Sequence, residues 1–155
     1  MAIKKYQLDA QLQLTPRCST DAPEIVVLFD NSVIFSGQLL TTTVFDINQE
    51  LESGEYDLSV EFINKLDSDT DIVNDIDKAV IIDLITFNNI QSPKFVWHGI
   101  YEPIYPEPWA SQQQNLEPRL TNHNYLGWNG KWTLTFTIPI FTWIHKIENL
   151  GKIYD

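Results

Sequence analysis

Gly54 to Asn64 reads GEYDLSVEFIN, and Asp77 to Asn89 reads DKAVIIDLITFNN. After Gly54, the residues Tyr56, Leu58, Val60 and Phe62 alternate with polar ones. That period of two marks a strand with one buried face. Ala79 to Phe87 is a near-continuous apolar run of strand length, which predicts a central strand buried on both faces. Leu8, Ala10, Leu12 and Leu14 repeat the alternation near the start. Glu24 to Phe29 is apolar and β-branched, and Asp30-Asn31 supplies a turn into Ser32–Ser36. Gly37 precedes Gln38–Ile47, a Thr- and Val-rich run, and Phe95 and Trp97 alternate in a further short strand.

Towards the end, Trp128-Asn129-Gly130-Lys131 predicts a hairpin, because Asn-Gly suits the two positive-φ positions of a type I′ turn. Trp132, Leu134 and Phe136 continue the returning strand. Pro139 suits a first helical position. Ile140, Trp143, Ile144, Ile147 and Leu150 then recur at helical spacing, with Gly151 placed to end the helix. Eight or nine short strands and one short C-terminal helix predict an all-β fold, an antiparallel β-sandwich of jelly-roll type.

The 155 residues suffice for one domain with a real core, burying about 70% of the open chain's surface. A single domain over 1–155 is expected. Residues 1–90 form an acidic sandwich core, and residues 91–155 add Trp- and Pro-rich loops, a hairpin and the helix. The first part holds 5 basic and 16 acidic side chains, the second 5 of each, for a net charge of −11. Such a balance repels nucleic-acid phosphates and anionic lipid, so neither is expected as a partner. Cys18 is the one cysteine, which rules out an internal disulfide. The start, MAIKKY, lacks the apolar stretch of a signal peptide, and no run approaches a membrane span.

The sharpest electrostatic feature is Asp67-Ser68-Asp69-Thr70-Asp71, followed by Asp75 and Asp77. Alternating aspartates in a loop can converge oxygens on calcium, a hard cation taking six to eight of them. The start looks like an EF-hand loop, but Ile72 sits where the turn needs Gly and Lys78 where a bidentate Glu belongs. A calcium site and a solvated acidic loop are both open. His98, His123 and His145 have no spacing suited to zinc. His98 and Glu102 could pair as acid and base, yet no nucleophile elbow or Gly-rich phosphate loop accompanies them. The chain is therefore not expected to be an enzyme. Tyr101-Glu102-Pro103-Ile104-Tyr105-Pro106-Glu107-Pro108-Trp109, with Tyr125 and Trp128, offers rigid aromatic faces for a glycan or another subunit.

Gly54, Tyr56, Leu58, Val60, Phe62 and Asn64, then Asp77, Val80, Ile82, Asp83, Ile85, Phe87 and Asn88, resemble two strands of calcium-dependent, xylan-binding carbohydrate-binding modules. That resemblance covers about residues 25–90 and implies a small β-sandwich. Asp77 matches an Asp of the pattern. Lys65 stands where the family has an Asp that supplies a calcium ligand, and Lys78-Ala79 replace its Arg-Asn pair. The stretches YPEPW and YLGWNGKW and the ending WIHKIENLGKIYD look like virion proteins of tailed marine phages. This second likeness implies a non-catalytic virion subunit, in capsid decoration or tail, made in the host cytoplasm. Its partners would be neighbouring virion proteins and further copies of itself. The alternative is a calcium-dependent module that binds host-surface glycan.

Overall fold

The computed structural model describes residues 3–148. Its strands are β1 (Lys5–Arg17), β2 (Glu24–Phe29), β3 (Ser32–Gln38), β4 (Thr43–Glu52), β5 (Gly54–Phe62), β6 (Ala79–Phe87), β7 (Ile90–Gln91), β8 (Ile100–Pro103), β9 (Leu120–Thr121), β10 (Tyr125–Leu126) and β11 (Gly130–Ile138). Two helices, α1 (Pro93–Trp97) and α2 (Ile140–Ile147), complete the described elements, with single 3₁₀ turns at Asp67–Asp69 and Ala110–Gln112.

The strands form two antiparallel sheets, which together make a β-sandwich. One runs β10-β6-β1-β4, with β7 paired to β6, and the other runs β3-β2-β5-β11-β8-β9. Alternation places Leu8, Ala10, Leu12 and Leu14 of β1 in the core, opposite Leu58, Val60 and Phe62 of β5 and Trp132, Leu134 and Phe136 of β11. Phe87 of the first sheet meets Phe136 of the second, ring centroids 4.9 Å apart, and Trp143 of α2 closes on both rings. The core thus draws on residues from both chemical halves of the chain.

Several local expectations are corrected. In β6 the core face is Val80, Ile82, Ile85 and Phe87, while on the outer face Ala79 is buried, Asp83 is exposed and Ile81, Leu84 and Thr86 are only half covered. Gln13 pairs Leu84 and Leu14 pairs Ile82, so Asp83 is the extra residue of a β-bulge that resets the alternation. Phe95 and Trp97 lie on α1, not on a strand, because the Ser92 side chain accepts from the Lys94 amide and Pro93 occupies the first turn. Gln38–Ile47 is interrupted after Gln38 and resumes as β4 at Thr43. Pro139 precedes α2 as its cap. Leu150 and Gly151 lie outside the described residues.

The Asn-Gly stretch makes no hairpin. β10 belongs to the first sheet and β11 to the second, so Gly127–Asn129 carries the chain between layers. Asn129 spends its side chain on Lys65, accepting from its amide at 2.7 Å and donating to its carbonyl at 3.1 Å. Gly130 is needed for close approach: a Cβ there would lie 2.5 Å from the Glu102 carbonyl oxygen and 2.7 Å from Pro103 Cα. The type I′ geometry appears instead at Asp30-Asn31, joining β2 to β3, and at Asn88-Asn89, joining β6 to β7, each with two positive φ angles.

Candidate functional site

Three segments meet at one end of the sandwich: the β5–β6 loop (64–78), the β8–β9 loop (104–119) and the crossing Gly127–Asn129. Asn129 ties the first to the third through the paired bonds with Lys65, and its carbonyl accepts from the Ile104 amide at 2.7 Å. Tyr101 of β8 fixes Trp128 from inside. Its hydroxyl donates to the Trp128 carbonyl and accepts from the Trp128 amide at 3.1 Å.

On this frame the rings of Tyr105, Trp109 and Trp128 gather. Centroids are 5.3 Å apart for Trp109–Trp128, 6.0 Å for Tyr105–Trp109 and 6.4 Å for Tyr105–Trp128. Trp109 is exposed, and the other two rings are half-buried. Two cavities flank Trp128. One of about 280 Å³ is bounded by Lys65, Asp77, Tyr105, His123 and Tyr125, and one of about 270 Å³ by Asp67, Pro106 and Trp109; Thr70 and Trp128 border both. Rigid rings with polar groups at their edges suit a ligand that is apolar on its faces and hydroxylated at its rim.

The polar side is a chain of charge-assisted bonds centred on Asp77. Its Oδ1 accepts from the Lys65 ammonium, from Thr70 Oγ1 at 2.8 Å and from the Lys78 amide at 2.9 Å, while Oδ2 accepts from the Tyr125 hydroxyl. Tyr125 in turn accepts from Arg17 at 3.1 Å. Burial pushes the Asp77 carboxyl up, but the bonds from Lys65, Tyr125 and Thr70 outweigh it and hold it below the ordinary carboxylate range. Burial and the bond to Asp77 both raise the Tyr125 phenol, so it keeps its proton as a donor.

A second cluster lies beneath the same loop. Lys78, 1% exposed, places its ammonium 2.8 Å from Asp21 Oδ1, 3.0 Å from Asp69 Oδ2 and 2.9 Å from the Asn64 carbonyl. Asp69 also accepts from Ser19 and, at 2.7 Å, from the Leu66 amide. Burial opposes its charge, yet these bonds and Lys78 keep the Asp69 carboxyl low.

The five aspartates singled out from the sequence do not converge. Asp69 faces Lys78 and Asp77 faces Lys65. Asp71 closes its own small hairpin, pairing with Ile76 and accepting from the Asn74 amide and side chain. Asp75 pairs with Arg17 at 2.8 Å, and Asp67 is exposed. Among the described residues no group of three or more His, Cys, Asp or Glu side chains is placed to hold a metal ion. Of the aromatic candidates, Tyr105, Trp109 and Trp128 come together and Tyr125 lines the adjoining cavity. Tyr101 is fully buried, so it supports the face and presents no surface of its own. Sequence reasoning passed over Lys65, Thr70 and Asp21 as site residues. Lys65 and Lys78 were visible only as departures from a family pattern. His98 packs edge-on against Trp143 and makes no pair with Glu102, and Cys18 is exposed.

A larger cavity, about 440 Å³, lies between Glu61, Glu102 and Lys131. Its aromatic residue, Phe62, is buried, so no ring faces it for stacking.

No family model matches the chain, and no curated protein matches it. Two solved structures do. Both are of vCBM60, the first described as linking two families of calcium-dependent carbohydrate-binding modules through circular permutation. One covers 82% of this chain and 89% of its own, at 14% identity and a TM-score of 0.50. That likeness is one of fold, a β-sandwich shared with this module. The other, in complex with galactobiose, covers 81% and 96% at 15% identity and a TM-score of 0.48.

Proposed function

We propose that this protein binds a glycan, without catalysing its cleavage, on the face formed by Tyr105, Trp109 and Trp128. The observation that supports the reading is the meeting of these rings beside two cavities edged by Thr70, Asp77 and His123. A pyranose offers C–H groups on its faces and hydroxyls at its rim. The exposed ring of Trp109 supplies a stacking surface. The hydroxyls of Thr70 and Tyr105 and the imidazole of His123 supply donors and acceptors around it. The asparagine and tyrosine bonds that hold Trp128 pre-order the face, which lowers the entropy lost on binding.

Of the two roles expected from the sequence, the fold comparison favours this one; neither solved structure is named as a virion component. The test is affinity electrophoresis through gels containing galactan, xylan, mannan or β-glucan. At least one should retard the protein, and Trp109→Ala should remove the retardation. If no polysaccharide retards it, and none changes its tryptophan fluorescence, the reading fails.

A further inference from the structure

We propose that the ammonium groups of Lys65 and Lys78 take the place of a divalent cation, so that the β5–β6 loop and the face built on it form without calcium. The proposal deepens the glycan reading and rests on it only for what the loop serves; its main test uses no sugar.

The oxygens that converge in this loop converge on nitrogen. An ammonium has three N–H donors. Those of Lys78 meet three oxygens, from Asp21, Asp69 and the Asn64 carbonyl, all within 3.0 Å, and the side chain is 1% exposed. That is a filled cage. The Lys65 ammonium sits on Asp77 and, at 2.8 Å, on the carbonyl of Lys78, so the two lysines are linked through one residue's backbone. Three carboxylates are thereby divided between two cations, with Asp21 and Asp69 on one and Asp77 on the other.

A calcium ion needs six to eight oxygens around a single centre. The donor set here does not fit it. An ion placed among these carboxylates would stand beside two buried ammonium groups of its own sign, and both would have to leave. Asp67, Asp71 and Asp75 cannot make up the number, since Asp71 and Asp75 are turned to Asn74 and Arg17 and Asp67 joins neither cage.

Lys65 also reaches the binding face. Its ammonium lies 5.7 Å from the centroid of the Trp128 ring, and it borders the cavity beside that ring. Two of its three donors have protein acceptors. The third is what a sugar hydroxyl in that cavity would meet.

The test is a thermal melt of the full chain in about 1 mM calcium and again in excess chelator. The two midpoints should agree within about 1 °C. A site that binds calcium at a hundredth of that concentration would raise the midpoint by roughly 5–10 °C, and such a rise overturns the proposal. In a second arm, Lys65→Gln should lower the midpoint in chelator by several degrees; an unchanged midpoint in that variant counts against the proposal. In the third arm, retardation by polysaccharide should survive chelator in wild type. Retardation that vanishes on chelation overturns the proposal. Absence of retardation in both buffers sinks the glycan reading, and the melts still decide this one.

Discussion

The β5–β6 loop and the β8–β9 loop meet at Trp128, yet they are held by opposite means. The first is fixed from within, by buried ion pairs and by Asn64 and Asn129 clamping backbone. Lys65, Asp69 and Lys78 are buried, Asp67 and Asp75 stay at the surface, and at the tip Ile72 and Val73 are 89% and 93% exposed. The second carries Pro106, a cis Glu107–Pro108 bond and the Tyr105–Trp109 ring contact, with bonds such as Tyr105 to the Glu117 carbonyl at 2.7 Å. Charge thus builds the support and aromatic surface is left for contact, the reverse of a surface drawn from composition alone. The comparison predicts that the two loops fail differently.

The largest effect should come from Lys78→Met. It leaves Asp69 buried without its cation and breaks the link to Asp21, which should cost about 3–5 kcal/mol of unfolding free energy. Chemical denaturation with a constant m-value measures it. A loss below about 1 kcal/mol would show that the cage is filled by water as easily as by the ammonium, and the contrast between loops would collapse.

Trp109→Ala should do the opposite. The ring is 37% exposed and its partners are other rings of the face, so stability should change by about 0.5 kcal/mol or less. Affinity for the retarding polysaccharide should fall roughly tenfold, about 1.4 kcal/mol. A large loss of stability would make this loop part of the core.

The pH dependence sharpens the comparison further. The Asp69 and Asp77 carboxyls lie below their ordinary range, because hydrogen bonds and lysines outweigh burial. Their stabilisation is complete above about pH 4 and is lost as pH falls through the lowered values. Burial lowers the Lys78 ammonium, but Asp21 and Asp69 outweigh it and leave it raised. Its contribution is complete below about pH 10 and is lost as pH rises through the raised value. Melts across pH should show both limbs, and Asp77→Asn should flatten the acid one while leaving the alkaline one in place. An unchanged acid limb in that variant would mean that Asp77 holds nothing together.

Much of the fold could be read from local pattern. Alternation located β1, β5 and β11, and Asp30-Asn31 gave its turn, because these depend on period and on backbone freedom alone. The same rule misplaced Asn129-Gly130. There the asparagine amide finds a better partner in Lys65, far away in sequence, and the glycine serves close approach. The site was half legible. The rings of YPEPW and Trp128 were recognisable as contact groups, but their meeting depends on how Tyr101 and Asn129 anchor the chain. The aspartates looked like ligands because they alternate in a loop. Whether they share a centre depends on a hairpin that turns Asp71 outward and on two lysines that turn in.

The smallest effect tests whether exposed charge supports the loop as buried charge does. Asp75 pairs with Arg17, but its side chain is 95% exposed, so solvent screens the pair. Arg17 also donates to the Asp75 carbonyl at 2.8 Å and to Tyr125, and both bonds survive removal of the carboxylate. Asp75 has a φ of 55°, which Asn tolerates as Asp does, so Asp75→Asn should shift the midpoint by about 2 °C at most, and the shift should shrink further in high salt. A drop comparable to that of Lys78→Met would mean that Arg17 depends on Asp75 for its place, and with it Tyr125 and Asp77. The loop would then be organised from its solvent side, and the filled cage of Lys78 would be a consequence of that order and not its cause.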